Sequence, residues 1–164
     1  MVELVHHVAN LDIVLAPVGG GGALFGLCLA ADALRSCIAI FACEPSSALD
    51  AMDSVKQNRV VPMPKPDTLA DGLQTSLGEL TLPILRRHMT GGFVVEEAEI
   101  VQAMQFALWT TQACDEPSSA AVLVPLLRQE PELVGKRVGV MLTGGNIEWV
   151  QPCPRLDGAE SMQR

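Results

Sequence analysis

Four consecutive glycines, Gly19, Gly20, Gly21 and Gly22, follow directly on the apolar run Ile13-Val14-Leu15-Ala16-Pro17-Val18. In regular structure each glycine costs roughly 0.5–1 kcal/mol relative to alanine, so the run marks a place where backbone must approach something closely. A helical pattern begins immediately afterwards, at Ala23. Strand, glycine loop and helix N-terminus in succession form an anion site, because bare N–H groups face the ligand and the helix dipole favours negative charge. The alternative is a flexible glycine turn. Spacing narrows the ligand. The dinucleotide pattern GxGxxG fails because Ala23 stands at its middle glycine, between Gly21 and Gly26. The Walker pattern fails because Leu27, not lysine, follows Gly26. No lysine lies near the loop, so main-chain amides alone hold the anion, which suits one phosphate monoester better than a triphosphate.

Apolar runs and helical patterns alternate along the rest of the chain. Strands are predicted at residues 12–17, 37–43, 92–95 and 137–142, and helices at 23–35, 47–57, 81–89, 96–113 and 119–129. Repeated β-α-β order implies an α/β fold, a parallel sheet flanked by helices in three layers. A hydrophobic content of 49% and a mean hydropathy of +0.30 fit strands buried on both faces. Pro62, Pro64 and Pro66 bar helix and central strand from residues 58–68, which are expected to form an irregular surface connection. Residues 1–150 are expected to form one partial domain, and residues 151–164 a disordered tail. Four parallel strands are few for an α/β sheet, which averages about five to six, so further strands are expected upstream.

Charge and cysteine content exclude several classes. A net charge of −8 argues against nucleic acid, whose backbone calls for clustered Lys and Arg. The apolar runs are too short to span a bilayer, and no basic segment precedes a long apolar one, so no membrane partner and a cytoplasmic location are expected. Cys28, Cys37, Cys43, Cys114 and Cys153 include no CxxC pair and read as reduced, mostly buried thiols. His6, His7 and His88 lack metal-site spacing, and His88 is read as a helix-end or surface residue. Met104 and Trp109 are expected in the core or an interface. Glu96 and Glu97 complement a helix dipole.

The segment Pro17-Val18-Gly19-Gly20-Gly21-Gly22 resembles the tetraglycine loop of fold-type II pyridoxal-phosphate (PLP) enzymes. The likeness continues, in that family's order and at about its spacing, through Glu44-Pro45-Ser46-Ser47, Ala70-Asp71-Gly72, Glu116-Pro117-Ser118-Ser119-Ala120-Ala121 and Thr143-Gly144-Gly145-Asn146. Each motif is weak alone; together, in order, they are specific. They resemble most the branch of serine racemase and the threonine and serine dehydratases. The resemblance covers the C-terminal half of such enzymes and implies part of the large domain of the tryptophan synthase beta-like fold.

By that resemblance the amides of Gly19, Gly20, Gly21, Gly22 and Ala23 hold the PLP phosphate, and the Thr143 hydroxyl bonds the pyridine nitrogen. A neutral hydroxyl there leaves the ring a weaker electron sink than a carboxylate would, which favours elimination. On its own, Thr143 is a strand-end hydroxyl before a Gly-Gly turn. Glu116 either orients the ring or tunes its charge, or only pairs structurally. Asp71 and Gly72 shape a loop beside the cofactor, or Asp71 only caps a turn. Ser119 stands where the family more often has glycine or alanine. Glu44, the Ala48 carbonyl and Asp50 match a divalent-cation site, hard oxygen ligands for Mg²⁺, Mn²⁺ or Ca²⁺. The plainer alternative is that Glu44 ends a strand and Asp50 faces solvent.

The half not covered supplies, in the family, the Ser-x-Lys segment whose lysine binds the cofactor's aldehyde. Lys56, Lys65 and Lys136 lie in no such motif, so no catalytic residue is assigned. The activity implied is that of a PLP-dependent ammonia-lyase acting on L-serine or L-threonine, removing the α-proton and the β-hydroxyl as water, or that of a serine racemase. The chain alone is expected to be incomplete for catalysis. A homodimer, or an association that covers missing strands, is implied. The alternative is an inactive fragment that binds a phosphate ligand or a full-length partner.

Overall fold

The computed structural model describes residues 1–34, 37–63, 65–112 and 115–145. Its centre is β1 (Ile13–Pro17), buried along its whole length. On one side β1 pairs with β2 (Ala39–Pro45), which pairs in turn with β3 (Gly91–Val95); on the other it pairs with β4 (Val138–Val140). All pairings are parallel, in the order β3-β2-β1-β4. A central parallel strand is covered on both faces, which is why the run before the glycines is continuously apolar rather than alternating.

Alternate side chains of the sheet feed two cores. Val14 and Ala16, with Ile40 and Ala42, pack against Leu24, Leu27 and Cys28 of α2 (Gly22–Ala33) and Leu82 and Leu85 of α4 (Leu82–His88). Ile13, Leu15, Cys43 and Phe93 pack on the opposite face against Ile100, Ala103 and Ala107 of α5 (Glu97–Thr111) and the buried residues 120–124. The result is the expected three-layer α/β arrangement. Two short helices complete the outline: α1 (Val2–His7), which the sequence reading lacked, and α3 (Asp50–Gln57), preceded by a 3₁₀ turn at Ser46–Ala48.

The expected helix over 119–129 is instead three pieces: α6 (Pro117–Ala120), a 3₁₀ turn (Ala121–Leu123) and α7 (Val124–Leu127). Pro125 explains the break, since it lacks an N–H and is tolerated only in a helix's first turn, where it stands in α7. Strand β4 is shorter than expected, at Val138–Val140. The described part of 58–68 carries no regular element, in line with its prolines. Cys28 and Cys43 are buried thiols whose pKa values burial pushes up. Cys37 is exposed. Trp109 is 84% exposed, so it is no core residue, whereas Met104 packs on the core. His88 ends α4 with Nδ1 3.7 Å from the Asp32 carboxylate. No helix among the described residues is long and apolar enough to cross a membrane. Cys114, Asn146, Cys153 and the tail at 151–164 lie outside the described residues.

Candidate functional site

The strand order builds the site. β1 has β2 on one side and β4 on the other, so the chain leaves β1 towards one half of the sheet and returns beside it from the other. In open parallel sheets the ligand crevice lies at the carboxyl ends of strands at such a switch point. Leu15 is in register with Val140, and Met141 N–H makes the next bond, to the Leu15 carbonyl at 2.9 Å. Beyond it the two chains depart as the glycine loop and as Thr143. A cleft of about 290 Å³ opens there. One wall is the loop from Gly19 to Ala23, a second is Gly72 and Leu73, and a third is Glu116, Ser118 and Thr143.

The first wall is bare main chain. Among the described residues, none of the N–H groups of Gly19, Gly20, Gly21, Gly22 and Ala23 donates to a protein acceptor. The first helical bond of α2 is Phe25 N–H to the Gly21 carbonyl. Gly21, the N-cap, has φ +84, and a Cβ there would lie 2.6 Å from Leu77 Cδ1. A Cβ on Gly19 would lie 2.9 Å from the Gly72 carbonyl oxygen and 3.1 Å from Leu73 Cα. Backbone packs on backbone there, which only glycine permits. The Gly20 carbonyl accepts from Gly78 N–H at 3.3 Å and from the Thr81 hydroxyl at 3.3 Å, which anchors the loop.

The opposite side is organised by α6. Glu116 N–H donates to the Gly144 carbonyl at 3.2 Å, and a Cβ on Gly144 would lie 2.5 Å from Glu116 Oε1. Glu116 therefore lies against the Thr143-Gly144 exit and lines the cleft as well. Gly72 N–H donates to Ser118 Oγ and to Asp71 Oδ1, both at 2.9 Å, and Thr143 N–H donates to Ser119 Oγ at 3.0 Å. Beside Glu116, Asp115 is buried; its Oδ2 meets no donor among the described residues, and burial raises its pKa.

The three residues matched to a cation site lie elsewhere, at the junction of β2 and α3. Glu44 is fully buried and accepts from Ala51 N–H at 2.6 Å and Met52 N–H at 3.0 Å, capping the first turn of α3. Asp50 is buried too, so it does not face solvent, and it accepts from Leu77 N–H at 2.8 Å. Burial, reinforced by the nearby carboxylates of Asp50 and Asp53, pushes the Glu44 pKa up to about 7 despite its two amide donors. Among the described residues no group of three or more His, Cys, Asp and Glu side chains is placed to hold a metal ion. As arranged, both carboxylates serve backbone amides.

Unbonded amides of the glycine loop and Thr143 thus line one cleft. The chain matches the family described as pyridoxal-phosphate dependent enzyme over residues 1–144. It belongs to that family. It is 40% identical over 146 residues to the beta-hydroxyaspartate dehydratase of Paracoccus denitrificans, covering 89% of this chain and 46% of that one. The crystal structure of serine racemase from Dictyostelium discoideum superposes with a TM-score of 0.82 at 39% identity, over 90% of this chain and 48% of that one. The crystal structure of a T.th. threonine deaminase gives a TM-score of 0.83 at 34% identity, over 92% and 55%. The chain thus spans about half the length of the relatives it matches. As a member of this PLP-dependent family, it brings seven of the residues assigned from the sequence into one cleft: the four glycines, Ala23, Glu116 and Thr143. Leu73 and the hydroxyls of Ser118 and Ser119 were not assigned. Nothing in their spacing marks them, because their partners Gly72 and Thr143 are distant in sequence.

Proposed function

We propose that this chain is the phosphate- and ring-holding half of a PLP-dependent enzyme acting on small β-hydroxy amino acids such as L-serine and L-threonine, as a dehydratase or a racemase. The observation that carries it is the single cleft that joins the unbonded amides of Gly19, Gly20, Gly21, Gly22 and Ala23 to Thr143 and Glu116. The residues fit the cofactor. Unbonded N–H groups at the start of α2 suit a phosphate dianion, with no lysine required. On the other wall Thr143 offers a neutral hydroxyl to the pyridine nitrogen, and Glu116 borders the ring position. A bound PLP supplies the electron sink that acidifies the substrate's α-proton. The chain's own part is to bind and orient it. The named relatives support the reaction class, which covers loss of the α-proton with either the β-hydroxyl leaving or a proton returning on the other face.

None of Lys56, Lys65 and Lys136 lines the cleft. That observation favours a second reading for the chain on its own: a module that binds the phosphate ligand non-covalently, with turnover supplied only when the complementary half is present. A divalent cation on Glu44, the Ala48 carbonyl and Asp50 belongs to the proposal as well; its support is two buried carboxylates with no Lys or Arg ion pair among the described residues. A cytoplasmic location and a homodimer complete the reading.

Titration of the chain with PLP, followed by absorbance and competed with inorganic phosphate, tests the cofactor site. Wild type is expected to bind PLP and to lose it to phosphate. Gly19→Ala, which drives a Cβ into the Gly72 carbonyl, is expected to bind roughly tenfold more weakly, given the usual cost of overpacking. Phosphate-insensitive binding, or an unaffected Gly19→Ala, would contradict the assignment.

A further inference from the structure

We infer that Ser119, which does not itself line the cleft, is a positioning residue: its hydroxyl fixes the main chain at Thr143 and so places the side chain assigned to the pyridine nitrogen. The inference rests on the cofactor reading above. It starts from where the sheet stops. β4 ends at Val140, and the last bond tying this strand to β1 is Met141 N–H to the Leu15 carbonyl. Among the described residues, the hydrogen bonds of residues 142–145 are Thr143 N–H to Ser119 Oγ at 3.0 Å and Glu116 N–H to the Gly144 carbonyl at 3.2 Å. The exit that carries Thr143 is therefore held by α6 and not by the sheet.

α6 is built to hold something. Pro117 fixes its first turn, and the Glu116 carbonyl accepts from Ser119 N–H at 3.0 Å and Ala120 N–H at 2.9 Å. Ser119, Ala120, Ala121 and Val122 are fully buried, so the turn is clamped by the core beneath it. A buried hydroxyl on so rigid a segment keeps few rotamers, and the acceptor it offers is fixed in space. Its neighbour Ser118 grips the other wall through Gly72 N–H. Thr143 itself is exposed. Removing its partner therefore leaves its N–H free to find water, and the loss falls on placement more than on folding.

The test uses the 164-residue chain with two probes, PLP and inorganic phosphate, in wild type, Ser119→Ala and Ser119→Cys. Cysteine nearly keeps the volume but is a poor acceptor, so it separates the hydrogen bond from packing. Both variants are expected to bind PLP about fivefold more weakly, the effect of one net hydrogen bond, with phosphate affinity unchanged. The pH at which the bound cofactor's absorbance changes is expected to move towards that of free PLP, because the ring nitrogen loses its placed partner. Three outcomes would overturn the inference: unchanged PLP affinity in both variants, PLP and phosphate weakening together, or Ser119→Cys behaving as wild type. Failure of wild type to bind PLP at all would instead bring down the cofactor reading beneath it.

Discussion

Glu44 shows how one buried carboxylate carries a local structure. Its two oxygens receive the Ala51 and Met52 amides, so it replaces the missing acceptors at the start of α3. Burial is the larger influence and raises its pKa from 4.5 to about 7. A folded-state pKa above the unfolded value means that the folded protein holds the proton more tightly. The associated stability is therefore complete below about pH 4.5 and is lost as pH rises through about 7. With metal chelated, the unfolding free energy is expected to fall over that window by on the order of 3 kcal/mol, and Glu44→Gln is expected to flatten the slope. Urea unfolding at a series of pH values measures this. Stability that rises over the window in wild type would contradict the burial argument, and restoration of stability by added Mg²⁺ in wild type but not in Glu44→Gln is the outcome that supports a cation there.

Among the elements, the junction of β3, α5 and α7 hangs on Arg128. Its Nε donates to Glu99 Oε1 at 2.6 Å, its Nη2 pairs with Glu99 Oε2, and its Nη1 donates to the Val94 carbonyl at 2.9 Å. Glu99 also closes the capping box of α5 by accepting from Glu96 N–H at 2.9 Å. Arg128 lowers the Glu99 pKa through that contact. Because a planar fork makes these contacts, Arg128→Ala is expected to cost about 1–2 kcal/mol and Arg128→Lys to recover little of it, as read from thermal unfolding. Full recovery by lysine would show that charge alone suffices. The first β-α unit was legible in advance: β1 and α2 declare themselves by an apolar run, a glycine loop and a second apolar segment. The α6–α7 region was not, because an apolar stretch hides the effect of Pro125, and whether a proline kinks or restarts a helix depends on packing. The acids at the start of α5 were legible as dipole partners; their tertiary bonds were not. Glu97 accepts from the Ser47 hydroxyl at 2.7 Å and from Leu69 N–H at 2.8 Å, and such contacts depend on the fold.

For the whole molecule, sheet order turns scattered motifs into a site. Gly19 and Thr143 stand far apart in sequence and line one cleft because β1 and β4 are neighbours. The glycine loop was legible in the sequence because close backbone packing, as of Gly19 on Gly72 and Leu73, admits only glycine. The supports Ser118 and Ser119 were not, since a buried serine has no signature until its partner is known. With none of Lys56, Lys65 and Lys136 lining the cleft, these 164 residues are expected to bind PLP reversibly and without a covalent bond. A crystal structure of the chain with PLP tests this most directly. The account predicts the phosphate on the amides of Gly19, Gly20, Gly21, Gly22 and Ala23, with the ring nitrogen at the Thr143 hydroxyl. PLP attached to Lys56, Lys65 or Lys136, or a phosphate seated anywhere but the glycine loop, would contradict it.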